Sequence, residues 1–471
     1  MAQALQIRLV EAEVRARPAT LRMPFGFGVA TLREVEQAVL RVRVADAAGR
    51  SALGIAAECL LPKWFDKSPN LTDADNVVQL RRSLDLAIGR YLAAGLQTPF
   101  GLSAGIYPVQ HAACAAEGLN PLVASYGPAL LDRAILDAVG CLTGQSLSQM
   151  INANLPGIDD RLTPDLAGFS LDRLLEGLRP GKSIELRHTV GLVDALTAVD
   201  RPKDAPQDGL PVTLEEVVAH YGCRWFKLKV SGDPARDLDR LEGIASVLDR
   251  SGIDYSCTLD GNEQYDDADG IVELWRRLVE RPSTRQLADS VRFIEQPIRR
   301  AVALRQDISA LAAHRAVIVD ESDATIDAFP RAIELGYTGV SSKCCKGFYK
   351  SILNRARVAH HNAETPGRFF LSAEDLMTMS GLATQQDLGL VSLLGITHVE
   401  RNGHHFVDGM SFAPEAEQQA MLIAHPDLYV RDDGHPARLR IKDGQIQLGS
   451  LDCPGFSLNA VRKDIAGDLF S

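Results

Sequence analysis

The chain has 471 residues, 46% hydrophobic and 24% charged, with a formal net charge of −11. That is material for two or three globular units or one barrel with an added domain, and the acidic balance without a long basic run argues against a nucleic-acid partner. Residues 1–18 carry Arg8, Glu11, Glu13 and Arg15, so they lack the apolar core of a secretory signal, and no apolar run reaches the roughly 18 residues of a membrane span. A cytoplasmic protein with no membrane partner is therefore expected, and its eight scattered cysteines, with no Cys-x-x-Cys pair, predict free thiols and no zinc site.

From the N-terminus, residues 5–14, 35–44 and 53–55 read as an antiparallel three-stranded sheet. Between the first two strands, Met23-Pro24-Phe25-Gly26-Phe27-Gly28 reads as a Gly-rich mobile loop, and its Gly-x-Gly lacks the following helix that a dinucleotide fingerprint needs. A second irregular stretch, 58–65, sets Trp64 and Phe65 beside Pro62 and reads as part of a lid. Helical periodicity over 75–96 and 126–151 completes an α+β unit spanning residues 1–150. Residues 151–182, rich in Pro, Gly and Asp, read as a linker or insertion.

The pattern then alternates strand and helix. Strands are predicted at 183–190, 224–230, 254–259, 291–294, 316–319, 339–342, 368–371 and 397–400, with helices between them at 237–248, 270–278, 304–313, 327–335 and 349–359. Eight such units over 183–425 predict an α/β fold with a (β/α)8 barrel, a doubly wound open sheet being the alternative.

Barrel enzymes carry their chemistry at the C-terminal ends of the strands. The second strand, Trp225-Phe226-Lys227-Leu228-Lys229-Val230, puts Lys227 and Lys229 on one face, where burial is costly unless acids lie opposite. The next strands run into Asp260-Gly261-Asn262, Glu295-Gln296-Pro297, Asp320-Glu321-Ser322 and Lys343-Cys344-Cys345-Lys346, at steps of 31, 35, 25 and 23 residues from Lys229. Three successive carboxylates in a closed mouth repel one another unless a cation sits between them, and oxygen ligands select Mg2+ before Mn2+ or Ca2+. With a divalent ion holding a substrate carboxylate, a lysine of lowered pKa on either side could remove or return the α-proton.

Lys227-Leu228-Lys229, Asp260-Gly261-Asn262, Glu295-Gln296-Pro297, Asp320-Glu321-Ser322 and Lys343, in this order, resemble the muconate-lactonizing-enzyme-like subgroup of the enolase superfamily. The resemblance covers nearly the whole chain. It implies an N-terminal α+β capping domain (1–150), a modified (β/α)8 barrel (183–425) and a C-terminal segment (426–471) returning to the cap through residues 445–461. It further implies a Mg2+ site (Mn2+ as substitute) at Asp260, Glu295 and Asp320, with Lys229 as base on one face and Lys343 as acid or base on the other. Lys227 would tune Lys229, in a homo-oligomer acting on a small-molecule carboxylate through a metal-stabilised enediolate. Asn262, Glu321, Glu374, Asp375 and His404 are candidate substrate contacts, and Phe25 and Trp64 candidate lid residues.

The mandelate-racemase-like dyad is not matched, because strand six ends in Lys343 and strand seven, 369–375, has no His. The sequence also lacks the Gly-Gly often found after the strand-six lysine, which makes Lys346 a rival for that role, and it is longer than usual at 98–120 and 152–182. Racemisation or epimerisation and cycloisomerisation fit the lysine pair. An acid-sugar or hydroxy-acid dehydratase would need a His from an unexpected strand, His398 or His404 being nearest. A catalytically inactive metal-binding scaffold would need a broken acid set or a missing lysine, and neither is seen.

Overall fold

A long antiparallel ribbon opens the chain in the computed structural model, which describes residues 4–27, 30–457 and 459–470. Strands β1 (Ile7–Phe27), β2 (Ala30–Asp46) and β3 (Ser51–Cys59) pair in that order. The first two run well beyond the expected 5–14 and 35–44. Their charged side chains pair across the ribbon, Arg41 with Glu13 at 2.6 Å and Arg43 with Glu11 at 3.3 Å, so a polar face accompanies an apolar one along the ribbon. Phe25, Gly26 and Phe27 pair with Leu32, Thr31 and Ala30, so the part of the Gly-rich stretch before Gly28 continues β1 and is not a loop. Gly28 itself lies outside the described residues.

Three helices cover the sheet: α1 (Asp73–Ala93), α2 (Pro99–Ala116) and α3 (Pro121–Thr143). Thr72 opens α1 with a reciprocal capping box to Asp75, and Asn120 caps α3 just before a proline at its first position. The expected helix 126–151 starts earlier, at Pro121, and breaks at Gly144, whose φ of 69° ends α3 before a separate short helix, Leu147–Asn152. Helix α3 presses on β3: a Cβ on Gly54 would lie 2.1 Å from the Ala134 carbonyl oxygen, so only glycine allows this approach. The stretch 152–182 holds a short helix, Leu171–Gly177, and its Asp165 pairs with Arg357 of a barrel helix at 2.7 Å.

Eight parallel strands follow: β4 (Ser183–Val190), β5 (Trp225–Lys229), β6 (Ser256–Asp260), β7 (Val291–Glu295), β8 (Ala316–Val319), β9 (Gly339–Ser342), β10 (Phe370–Ala373) and β11 (His398–Arg401). The order β10-β9-β8-β7-β6-β5-β4-β11 is a circle cut between β10 and β11, and a parallel bridge between Glu374 and Glu400 joins the cut. The fold is thus the expected α/β barrel with an α+β cap. Helices separate the strands, although the expected helix 304–313 is two single turns, Arg300–Ala303 and Ser309–Ala312. Strand β10 lies two residues later than expected, so Glu374 directly follows its end.

The C-terminal region adds Gln445–Gln447 antiparallel to β4 and then reaches the cap, where Arg462 pairs with the buried Asp137 of α3 at 2.8 Å. Among the described residues no helix is long and apolar enough to cross a membrane.

Candidate active site

Alternation along β4 and β5 decides what enters the mouth of the barrel. Lys227 and Lys229 share a face, and both reach Asp260 Oδ2 at the end of the neighbouring strand. Lys227 is fully buried. Its Nζ lies 2.8 Å from Asp260, 3.0 Å from Glu295, 2.6 Å from Glu374 and 2.8 Å from Glu400, so one ammonium group faces four carboxylates. Burial alone would lower its pKa, but these four neighbours hold it well above the ordinary lysine value.

On the opposite side, Lys343 Nζ lies 2.6 Å from Asp320 Oδ2 and 2.9 Å from Glu374 Oε2. Lys343 does not have the lowered pKa expected of it. Burial opposes charge on Lys343, yet Asp320 and Glu374 outweigh it and raise the pKa. Lys346 also turns to Asp320, with Nζ 3.1 Å from Oδ1, so the acid after β8 is shared by two lysines. Burial and Glu374 raise the Asp320 pKa against the pull of those lysines.

Among the described residues, the group whose ligand atoms could enclose one metal ion is Asp260, Glu295 and Glu374, all within 4.8 Å of one another. Among the described residues Glu295 is fully buried and accepts no hydrogen bond, its one cationic neighbour being the Lys227 ammonium that it shares with three other acids, and burial with Glu374 close by pushes its pKa well up. Carboxylates that outnumber the one ammonium between them leave negative charge that a hard divalent ion satisfies, so the donor set fits Mg2+. Asp320 stands apart from this group, on the lysine side.

The other expected residues fall into three places. Asn262 and Glu321 lie at the rim, where Asn262 Nδ2 donates to Glu321 Oε1 at 3.3 Å. Phe25 and Trp64 cover the mouth, and with Leu61, Lys229, Leu376 and Met377 they line a void of about 20 Å³. Trp64 sets its ring 4.5 Å from Lys343 Nζ. Asp375 accepts the Asn402 backbone N–H and pairs with Arg401, and burial raises its pKa to about 7. His404 is not brought to the lysines. It packs against Tyr221 and against His188, which alternates on β4 with the inward-facing Thr189. His398 stacks on Trp225 and meets Arg187 Nη1 at 3.0 Å.

The sequence reading passed over Glu400, although it ends the eighth strand as Asp260 and Glu295 end theirs, and the same rule would have found it. Its partners Thr189 and Asn402 carry no such signal. The turns after β6 and β7 hold left-handed backbone at Asn262 (φ 40°), Glu263 (φ 71°) and Gln296 (φ 33°), the kind of strain that clusters at functional sites.

Residues 210–349 match the family model described as enolase C-terminal domain-like. The solved mandelate racemase/muconate lactonizing protein from Herpetosiphon aurantiacus superposes with a TM-score of 0.61 at 17% identity, covering 96% of this chain and 98% of that one. A dipeptide epimerase from Enterococcus faecalis, complexed with Mg and the dipeptide L-Leu-L-Tyr, gives 0.59 at 14% identity, covering 95% and 99%. A curated Mycobacterium tuberculosis protein, 17-hydroxy-3-oxo-4-pregnene-20-carboxyl-CoA lyase, is 28% identical over 207 residues, 41% of this chain, and the match spans only half of that protein's length. The resemblance read from the five motifs therefore stands: this chain carries an enolase C-terminal domain-like region set in the fold of the mandelate racemase/muconate lactonizing proteins.

Proposed function

We propose that the chain is a Mg2+-dependent enzyme that removes and returns the proton α to the carboxylate of a small acid, leading to racemisation, epimerisation or cycloisomerisation. The observation that carries this reading is the pair Lys229 and Lys343, bound to different acids on either side of the buried carboxylate cluster. Asp260, Glu295 and a third carboxylate, from Glu374 or Asp320, would hold a divalent ion, which would supply the positive charge that makes the α-proton acidic; Mn2+ suits the same oxygen set. Lys229 takes the proton on one face of the α-carbon and Lys343 exchanges it on the other. Lys227 holds the carboxylates in place between them.

The walls favour one kind of substrate. Among the described residues, Phe25, Leu61 and Trp64 line the mouth from the cap side and Leu376 and Met377 from the loop after β10, with no cap cation among them, above a floor that includes Lys229, Glu374, Asp375 and Glu400. A monocarboxylate with an apolar α-substituent fits that lining better than a second carboxylate would, N-acyl amino acids and apolar dipeptides being examples. The dehydratase reading has less support, since both histidines that it would need are engaged away from the lysines. We also place unit boundaries near residues 150, 182 and 425 and expect a homo-oligomer, which limited proteolysis and light scattering would check.

The test is solvent-deuterium exchange on a panel of α-substituted carboxylates. Exchange should require Mg2+, stop in EDTA, and fall by about 10²- to 10⁴-fold in Lys229→Ala and in Lys343→Ala. Exchange that persists in both variants would refute the assignment.

A further inference from the structure

Beside the mouth lies a second charged cluster with no part in the chemistry above. Glu263, one residue beyond the rim residue Asn262, accepts hydrogen bonds from Arg300 through its backbone N–H at 2.7 Å, Nε at 2.8 Å and Nη2 at 2.8 Å. Lys67, from the stretch that follows β3, brings its Nζ to 2.6 Å from Glu263 and 3.2 Å from Glu321, and donates to the Asn262 carbonyl at 3.1 Å. The same Arg300 donates from Nη2 to the Trp64 carbonyl at 2.9 Å and from Nη1 to the Phe65 carbonyl at 3.0 Å. Barrel and cap are thus tied through one carboxylate and one guanidinium.

The tied segment carries the side chain that covers Lys343. With the carbonyls of Trp64 and Phe65 gripped from outside, the indole points inward, over Lys343 Nζ, and meets the Phe65 ring edge-on at 5.0 Å. The segment enters this position through Lys63 in left-handed backbone (φ 62°), just as its receiving turn does at Asn262 and Glu263. Charge is balanced locally: Lys67 and Arg300 against Glu263 and Glu321. Removing Lys67 leaves the buried Glu321 without its salt-bridge partner, and removing the Glu263 charge leaves Lys67 and Arg300 without the carboxylate that they share.

The cluster also forms a wall. Lys67, Asn262, Glu263 and Arg300 line an outer cavity of about 630 Å³, whereas the void inside is about 20 Å³, and Asn262 borders both. The inner void is too small for any substituted carboxylate, so a substrate needs its lining residues to move apart, Trp64 and Asn262 among them.

We propose that Lys67, Glu263 and Arg300 are positioning residues that latch Trp64 onto Lys343 and so set the access and orientation of that lysine, while Lys227, fully buried below the void, is outside their control. The inference rests on Lys343 being the proton carrier of one face. Its first readout, however, is independent of turnover.

Wild type and the variants Lys67→Met, Glu263→Gln and Arg300→Lys are exposed briefly to an amine-acylating reagent, and labelling at each lysine is measured by peptide mass spectrometry. Lys343 should label about tenfold faster in Lys67→Met and Glu263→Gln, with Lys227 unchanged and Arg300→Lys intermediate. Lys67 and Arg300 are partly exposed whereas Glu263 is buried, so the Lys67 variant keeps the test valid if Glu263→Gln fails to fold. In deuterium exchange, the enantiomer whose proton Lys343 handles should lose about tenfold in rate, and its mirror image little. Lys343 labelling at the wild-type rate, or rising together with that of Lys227, would overturn the latch. Selective labelling together with no exchange by the wild type on any acid would leave the latch standing and remove the catalytic reading.

Discussion

Lys227 offers the sharpest test of how the barrel mouth is held together. In Lys227→Met the ammonium that four carboxylates share at 2.6–3.0 Å is lost; Asp260 keeps Lys229 and Glu374 keeps Lys343, but Glu295 and Glu400 are left without a cation among them. Breaking a buried pair by removing one partner costs about 3–5 kcal/mol. Unfolding entropy of about 2.1 cal/mol/K per residue gives roughly 1 kcal/mol per degree for 471 residues, so Tm should fall by about 3–5 °C in EDTA if the chain melts as one unit. The sign of the pH dependence follows from proton binding. Without Lys227 the folded-state pKa values of these carboxylates rise above their unfolded values near 4, so the folded state binds more protons than the unfolded one. Stability then falls as pH rises. The deficit relative to wild type should be small near pH 5 and grow towards pH 8, and Mg2+ should recover part of it by replacing the missing charge. Differential scanning calorimetry in EDTA and in Mg2+ across this range decides the matter. A Tm within about 1 °C of wild type at pH 8 in EDTA, or a deficit that shrinks as pH rises, would refute the reasoning.

Three further outcomes are expected. Mg2+ at about 100 times its Kd should stabilise the wild type by about 2.7 kcal/mol, roughly 3 °C by the same conversion. Glu295→Gln should abolish that shift, and titration calorimetry of Glu374→Gln against Asp320→Asn will show which carboxylate completes the site. Gly54→Ala should cost at least about 3 kcal/mol or prevent folding, because its Cβ would sit 2.1 Å from the Ala134 carbonyl oxygen; chemical denaturation measures this. His188 is buried beside His404 and His405, and burial lowers its pKa to about 3. A group kept neutral in the fold but titrating near 6.5 when unfolded contributes stability above pH 6.5 that is lost as pH falls towards 3. His188→Phe should flatten the acid limb of a Tm–pH curve, and an unchanged limb would rule out this source.

Much of the barrel was legible because its strands are short apolar runs spaced by one strand-helix unit, each ending in an ionisable residue. Legibility failed where local signals compete. Helix α2 was missed because Pro99, Pro108, Gly101 and Gly105 read as breakers, although a proline at the first turn is tolerated and the Thr98 hydroxyl accepts from the Gly101 N–H. The hairpin tip was read as a loop from its Pro and Gly, yet cross-strand pairing of Phe25 with Leu32 carries the strand through. In the site, Lys227, Lys229 and the acids after β6, β7 and β8 all reach the mouth, but their partners are set by tertiary approach. Lys67 meets Glu263 and Glu321 across about two hundred residues of chain, and no local pattern announces that contact.

The two lysines of β5 show how the strand period divides one motif into two roles. Two residues along a strand rise about 6.6 Å, so side chains on one face occupy successive layers of the barrel. Lys227 lies in the lower layer, 0% exposed and ringed by four carboxylates that keep it protonated. A lysine so held has no free lone pair to accept a proton. Lys229, one layer nearer the opening and 7% exposed, is paired with Asp260 and lines the small void beneath Phe25 and Trp64. The lower lysine therefore serves as the counter-ion that lets five acids and the upper lysines share one mouth, and the upper one is left to meet the substrate. On the opposite wall Lys343 and Lys346 divide Asp320 in the same manner, with Lys343 alone lying beneath the indole of Trp64. Two-sided proton exchange requires a neutral amine on the face of the α-carbon that gives up its proton and an ammonium on the face that receives one; Lys229 and Lys343 would trade these states with the direction of reaction, while Lys227 and Lys346 hold Asp260 and Asp320 in place.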